Sequence, residues 1–376
     1  MKLTQSFVDD IRGLITAARG IVARGVDIVQ VHTNYEIGRR IVEQEQHGKD
    51  RAAYGKEILT TLAKRLTQEF GNGYSRSNLE YMRRFFLQYK ERLPISQTAS
   101  GKLATPGKSQ TTSGQLTDRE GAAAAATFQI VQKSSGQSSA PFRLSWSHYV
   151  FLLGIKNPDE RSFYEIEATS ENWTLRELKR QFDSGLYERL ALSRDKEGIR
   201  QLAREGQIVS QPQDLLKEPL VLEFLGLSEQ TRYSESDLET AIIDRLGQFL
   251  LELGKGFLFE ARQKRFSFDD EHFFVDLVFY NRLLRCYVLI DLKLGKLTHQ
   301  DLGQMQMYVN YFDRHVKAEA ENATIGIVLC KKKHQALVEI TLPKDANIHA
   351  REYQLYLPGK EELRQKLEEW TAGVRE

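Results

Sequence analysis

Residues 273–293 have the sequence FFVDLVFYNRLLRCYVLIDLK, two apolar runs joined by a short turn and carrying Asp276, Asp291 and Lys293. Apolar runs of this length, rich in aromatic and β-branched residues, are typical of buried strands. A hairpin whose centre falls between residues 283 and 284 places the two aspartates opposite each other. Side chains two positions apart on a strand share a face, so Asp291 and Lys293 do as well. The stretch therefore predicts two acids and a lysine at one spot on a hydrophobic sheet.

This trio has the composition of a hydrolytic metal site. Neighbouring carboxylates repel each other, and their burial is unfavourable unless a cation compensates it. Mg²⁺ suits such a site because it accepts one or two carboxylates and retains several waters. A bound ion activates water, and a lysine beside it can orient that water or stabilise phosphoryl charge. We expect Asp276 and Asp291 to bind Mg²⁺, for which Mn²⁺ can substitute, and Lys293 to assist phosphodiester hydrolysis. The alternative is a structural ion pair between Lys293 and one aspartate.

The elements on either side of the hairpin add candidate residues. An amphipathic helix predicted from near Ser234 to Gly254 offers Glu239 as a third acid for the metal, or as a partly exposed acid without a role. Helical spacing returns from Gln300 to Phe312, where Gln304 and Tyr308 are four residues apart and therefore share a face.

A first strand is predicted at 257–262, before the hairpin, and an apolar strand at 324–330 follows the second helix. This part of the chain therefore has the order helix, three strands, helix, strand. A strand, a crossover helix and another strand imply a parallel βαβ unit. The predicted fold class is α+β, with an all-helical N-terminal domain and a C-terminal α/β domain of αβββαβ order with a mixed sheet. The predicted boundaries are a helical domain at 1–94 and 142–192, a flexible low-complexity insertion at 95–141, a connector at 193–233, the α/β domain at 234–358 and a C-terminal helix at 359–376.

The helical domain contains the outline of a helix-turn-helix. A helix ends at Gly71-Asn72-Gly73, and a second helix follows with Ser75 and Ser77 as equally good caps. The arrangement predicts either a DNA-binding module or a packed helix pair with a solvated surface. The candidate DNA contacts on the second helix are Arg76, Asn78, Arg83 and Arg84.

Composition narrows the class of protein. The 376 residues are 41% hydrophobic and 28% charged, as in ordinary globular proteins, and no apolar run is long enough for a membrane span. The N-terminus lacks the apolar core of a secretory signal. The two cysteines, Cys286 and Cys330, lie in apolar strand-like runs and are interpreted as buried hydrophobes rather than disulfide or metal ligands. We expect a cytoplasmic protein with no membrane association and no small-molecule cofactor.

Several of these motifs together resemble one family. Residues 276–280 (DLVFY), 291–293 (DLK) and 303–308 (GQMQMY) are similar to the YhcG-type nucleases. These form a branch of the PD-(D/E)xK superfamily, near the RecB-like and Holliday-junction-resolvase-like enzymes. The helical half resembles the partner domain of the same family through residues 70–79 (FGNGYSRSNL) and 144–149 (LSWSHY).

The resemblance implies a restriction-endonuclease-like fold and a metal-dependent nuclease, in a family associated with mobile elements and restriction-like or phage-defence loci. One departure is Asp291 in a motif that commonly carries glutamate, because an aspartate side chain reaches less far. The residues that the resemblance assigns to catalysis or to the metal are Asp276, Asp291, Lys293, Gln304, Tyr308 and Glu239. The pair Arg262 and Gln263, after the first strand, also matches and is a candidate contact to nucleic acid.

Three functions stay open at this point. The first is a DNA endonuclease whose helical domain binds DNA or partner subunits. The second is a non-cleaving DNA-binding or oligomerising protein with a degenerate nuclease fold, against which the intact Asp–Asp–Lys set argues. The third is a nuclease acting on RNA, although no aromatic ribonucleoprotein motif is present. Double-strand cleavage with one site per chain would favour a homo-oligomer.

Overall fold

The computed structural model describes residues 27–46, 52–92 and 141–372, apart from positions 193, 216, 218, 228–232, 269, 334 and 344–345. By their internal contacts the residues form two compact units, an N-terminal unit of 1–156 and a C-terminal unit of 157–376. The predicted insertion at 95–141 lies outside the described residues, except for Pro141. None of the described helices combines the length and the apolar character that crossing a membrane requires. The domain boundaries given above stay predictions.

The N-terminal unit is helical in its described part. Its helices are α1 (residues 27–46), α2 (Ala52–Phe70), α3 (Arg76–Tyr89) and α4 (Trp146–Leu152). Leu79, Met82 and Phe85 have exposures of 0–1% and lie three or four residues apart on α3, so they form its buried face. Of the two predicted caps, Ser75 is the N-cap, since its hydroxyl accepts the N–H of Asn78 at 3.3 Å. The predicted pair of helices with a short turn is therefore present.

The C-terminal unit combines helices with one sheet. Its helices are α5 (Pro158–Ser170), α6 (Leu175–Asp183), α7 (Leu186–Ala191), α8 (Lys196–Glu205), α9 (Glu235–Asp244), α10 (Leu246–Leu253), α11 (His299–His315), α12 (Gln335–Thr341) and α13 (Lys360–Ala372). Its strands are β1 (Leu220–Val221), β2 (Phe257–Phe268), β3 (Glu271–Asn281), β4 (Cys286–Lys296), β5 (Ile325–Lys332) and β6 (Ile348–Gln354).

The sheet has the order β1-β6-β5-β4-β3-β2. Strands β2, β3 and β4 are antiparallel neighbours, whereas β4, β5, β6 and β1 pair in parallel. The predicted mixed sheet, the αβββαβ order and the parallel crossover through α11 are therefore confirmed. Strands β1 and β6 extend the sheet beyond the predicted set.

The register of the central hairpin is the one that the sequence predicts. Leu277 pairs with Ile290 and Asn281 pairs with Cys286, so the hairpin centre falls between residues 283 and 284. One face of the sheet packs against α9 and α10, and the other packs against α11. Cys286 and Cys330 are buried, as predicted, and burial raises the pKa of Cys286 to about 11.

The predicted single helix from Ser234 to Gly254 was wrong, because the structure divides it into α9 and α10. Arg245 lies between them with φ −119° and ψ 29°, outside the helical region. Gly247 follows in the next turn, where its conformational freedom makes continuous helix less favourable. The predicted ends are nevertheless correct, since Ser234 caps α9 and Gly254 follows α10 with a positive φ of 101°.

Candidate active site

The predicted catalytic residues meet where β3 and β4 separate, a place we call the β3–β4 fork. The last backbone pair between the two strands is Leu277 with Ile290, and beyond it β3 pairs only with β2 while β4 pairs only with β5. Asp276 lies just past this pair, and its Oδ2 atom accepts the N–H of Leu292 at 2.8 Å. The Asp276 carboxylate thus provides a hydrogen bond between β3 and β4 beyond the last backbone pair of the two strands.

Asp291 and Lys293 form an ion pair on the other branch of the fork, with Nζ 2.9 Å from Oδ2. Asp291 is only 3% exposed. Burial, and then the negative charge of Asp276, raise the pKa of Asp291 to about 7. Burial works against the charged form of Lys293, but the carboxylates of Asp291 and Glu235 outweigh it and raise the pKa of the lysine. The two aspartates and the lysine are therefore close enough to share one electrostatic environment.

The donor set at the fork fits a divalent cation. The ammonium of Lys293 is shared by the carboxylates of Asp291 and Glu235, so the fork contains more acidic than basic groups. The Oδ2 atom of Asp291 is buried and has no hydrogen-bond donor in regular geometry, although Lys293 forms the ion pair described above. Hard oxygen ligands of this kind are those that Mg²⁺ and Mn²⁺ accept. Within the described residues, no cluster of three or more acidic, histidine or cysteine side chains is arranged around a common ion position.

Glu239, the predicted third acid, is connected to Asp276 through another side chain. Glu239 is 4% exposed, and its Oε1 atom lies 2.5 Å from Nε of Arg262. Its Oε2 atom accepts a hydrogen bond from Nε2 of Gln263 at 2.7 Å, and the same nitrogen donates to Oδ1 of Asp276 at 2.9 Å. The partly exposed alternative for Glu239 is therefore wrong. Arg262 and Gln263, predicted to contact nucleic acid, both bond to this buried acid.

Gln304 and Tyr308 lie on one face of α11, as their spacing predicts, and Nε2 of Gln304 donates a hydrogen bond to the hydroxyl of Tyr308. Tyr308 is 1% exposed. Burial and the negative charge of Asp291 raise the pKa of Tyr308 to about 12. Its hydroxyl therefore stays neutral at physiological pH, within electrostatic range of the acids at the fork.

Glu235 is a site residue that the sequence analysis did not single out. Its Oε2 atom lies 3.9 Å from Nζ of Lys293, and its Oε1 atom accepts the N–H of Leu294 at 3.4 Å. The first turn of α9 therefore reaches the end of β4 that carries the lysine. Its position next to the helix cap Ser234 was the only local signal.

Three of the four predicted DNA contacts on α3 are bonded inside the N-terminal unit. The hydrogen bonds join Asn78 to Trp146, Arg83 to Glu45 and Arg84 to the carbonyl of Leu153. The fourth, Arg76, has an exposed side chain. Bonds of this kind fix the helices relative to one another, so Arg76 has the most freedom to meet a ligand.

The comparisons with known proteins agree with this geometry. Residues 213–368 match the YhcG PDDEXK nuclease domain, and residues 10–106 and 122–189 match the DUF1016 N-terminal domain. The Escherichia coli (strain K12) protein YhcG, described as a candidate nuclease, is 40% identical over 373 residues, which are 99% of this chain and 96% of that protein. A crystal structure of a repair endonuclease from Pyrococcus abyssi is 17% identical and matches 35% of this chain and half of that chain, with a TM-score of 0.23, too low to bear on the fold. The chain therefore belongs to the YhcG family, and its C-terminal unit carries the nuclease domain of that family.

Proposed function

We propose that the chain is a Mg²⁺-dependent DNA endonuclease that hydrolyses phosphodiester bonds at the β3–β4 fork. The observation that carries this proposal is the meeting of Asp276, Asp291 and Lys293 at one place, with a buried carboxylate beside the lysine. Membership of a nuclease family supports the reaction class.

The roles of the residues follow from their contacts. Asp276 and Asp291 would hold the ion, and the bound ion would activate water and neutralise phosphoryl charge. Lys293, kept protonated by the acids around it, orients the attacking water and stabilises the negative charge that develops on the phosphoryl oxygens. The water oxygen bonds to phosphorus and releases a proton to solvent, while the bond to the leaving sugar oxygen breaks and that oxygen takes up a proton from solvent. The neutral hydroxyl of Tyr308, paired with Gln304, supplies a fixed dipole beside this charge.

The substrate would approach along β2, the edge strand of the sheet. Beyond Gln263 this strand continues with Lys264 and Arg265, of which Arg265 is exposed. Cations in this position suit a phosphate backbone. We also propose that the N-terminal unit binds DNA or a second subunit, with the exposed Arg76 as a candidate contact. A cytoplasmic location would give such an enzyme access to its substrate.

Cleavage assays with a matched pair of lysine variants test the proposal. Plasmid, linear DNA, branched DNA and RNA are incubated with Mg²⁺, with Mn²⁺ and with chelator. Lys293→Ala is expected to abolish cutting and to retain binding, whereas Lys296→Ala, an exposed change three residues further along β4, is expected to cut like wild type. Wild-type protein that binds DNA and cuts no substrate would favour the non-cleaving alternative. Cleavage of RNA but not of DNA would favour the alternative of a nuclease acting on RNA.

A further inference from the structure

The amide of Gln263 occupies the space between two carboxylates. Its Nε2 atom donates to Oδ1 of Asp276 at 2.9 Å and to Oε2 of Glu239 at 2.7 Å. A side-chain amide nitrogen carries two hydrogens, so both are used. We infer that Gln263 is a positioning residue for the ion site and that Glu239 acts on Asp276 through Gln263, without binding the ion itself. The inference rests on the proposed function and concerns how the ion ligand Asp276 is kept in position.

The backbone of β2 is distorted where this contact is made. Successive residues of a regular strand point to opposite faces of the sheet. Arg262 and Gln263 are successive, yet both side chains bond to Glu239. The exception is possible because Gln263 has a φ of 47°, in the left-handed region that residues with a Cβ rarely adopt. Unfavourable backbone conformations of this kind persist where surrounding contacts hold them, often at functional sites.

Both oxygens of Glu239 are already bonded to other side chains, Oε1 to Arg262 and Oε2 to Gln263. Arg262 lies 2.5 Å from its Oε1 atom and also donates to the hydroxyl of Thr240 at 3.2 Å, so the guanidinium is held against α9. Leu238 and Ile242, on the same helix as Glu239, are in the hydrophobic core. The charge of Glu239 is thus compensated by Arg262, and its second oxygen holds the amide of Gln263 in place.

Asp276 receives one hydrogen bond on each oxygen, from Gln263 and from the N–H of Leu292. The two bonds fix the plane of the carboxylate. A carboxylate has about four lone-pair directions, so two remain for a cation. Partners that orient a metal ligand typically change affinity by roughly 10- to 100-fold when removed. A chain of hydrogen bonds therefore connects Glu239 on α9 to Gln263 and Gln263 to Asp276.

Calorimetric titration of the full chain with Mn²⁺, without nucleic acid, tests this path. Gln263→Met keeps the side-chain length and removes both donors, and it is expected to weaken Mn²⁺ binding roughly 10- to 100-fold. Glu239→Gln is expected to weaken it less. The double variant should bind no more weakly than Gln263→Met alone, because Glu239 acts through the residue already removed. Gln300→Met, an exposed glutamine on α11, is the matched control and should bind like wild type.

Each outcome decides the inference. Effects of Glu239→Gln and Gln263→Met that multiply in the double variant would make Glu239 an ion ligand and overturn it. Wild-type affinity in Gln263→Met overturns it while leaving the proposed nuclease function intact. Wild-type protein that binds no Mn²⁺ overturns both. Melting temperatures in chelator are measured alongside. If Gln263→Met unfolds, Gln263→Leu, which also lacks both donors and adds no ion ligand, replaces it with the same expected loss of Mn²⁺ affinity.

Discussion

Asp276 and Leu292 are joined by a hydrogen bond of 2.8 Å between a carboxylate oxygen and a backbone N–H, at the point where the ladder between their strands has ended. Leu292 is fully buried, and its N–H has the carboxylate of Asp276 as its acceptor. Asp276 is therefore a structural residue as well as a candidate ligand.

Substitution of Asp276 should separate these two roles. Asp276→Ala leaves a buried N–H without an acceptor, which costs about 1–3 kcal/mol, and it removes an ion ligand. Asp276→Asn retains one oxygen for Leu292 but lacks the charge that an ion needs. We expect the alanine variant to melt at a lower temperature than the asparagine variant in chelator, while neither binds Mn²⁺ with wild-type affinity. Equal melting temperatures would show that the bond to Leu292 contributes nothing.

The raised pKa of Asp291 predicts a pH dependence of stability without metal. A carboxyl whose folded-state pKa of about 7 lies above its ordinary 3.8 stabilises the fold below about pH 4, and this contribution is lost as pH rises through 7. Asp291→Asn should therefore lose less stability between pH 5 and 8 than wild type. Thermal unfolding in chelator measures this, with Asp244→Asn, an exposed change, as the control. Parallel curves for wild type and Asp291→Asn would contradict it.

A buried ion pair joins α10 to the helices that precede the sheet. Glu252 and Arg189 are both 0% exposed, with Nη1 of the arginine 2.5 Å from Oε1 of the glutamate. Removing one member of such a pair leaves an uncompensated buried charge and costs about 3–5 kcal/mol. Glu252→Gln should therefore lower the melting temperature by many degrees. Glu362→Gln, which breaks an exposed pair with Lys366, should leave it within about a degree of wild type.

Charge reversal of two arginines, one on β2 and one in the turn between β3 and β4, tests whether nucleic acid binds along β2. Arg265 is exposed on β2, two residues beyond Gln263, whereas Arg282 is exposed in the turn after β3, roughly 20 Å from Asp276 at 3.3 Å per residue. Arg265→Glu should weaken DNA binding several-fold and reduce its salt dependence, because a phosphate contact is lost. Arg282→Glu makes the same change of charge and should bind like wild type. Fluorescence anisotropy at several salt concentrations measures both, and equal losses would remove β2 from the interface.

The sequence predicted the hairpin register because two local rules determine it. A short turn limits where the strands can pair, and a period of two fixes which side chains share a face. These rules also placed Asp291 and Lys293 side by side. Helical spacing did the same for Gln304 and Tyr308, whose side chains are bonded.

The features that the sequence did not predict depend on contacts between distant residues. The left-handed conformation of Gln263 has no local signal, since it is held by Glu239 and Asp276 from other elements. The break at Arg245 interrupts an apolar pattern that continues through it. Strand β6 carries charged residues, and β1 has only two residues, so neither has the apolar run by which β4 was recognised.

The two cysteine thiols should react slowly with labelling reagents, because both are buried and the pKa of Cys286 is raised to about 11. Maleimide and similar reagents attack the thiolate, which is scarce at such a site at neutral pH. A single cysteine introduced on an exposed position should therefore take a fluorescent or spin label selectively in the otherwise unaltered chain. Distances between the two compact units, and their change when nucleic acid is added, can be measured without first removing any natural residue.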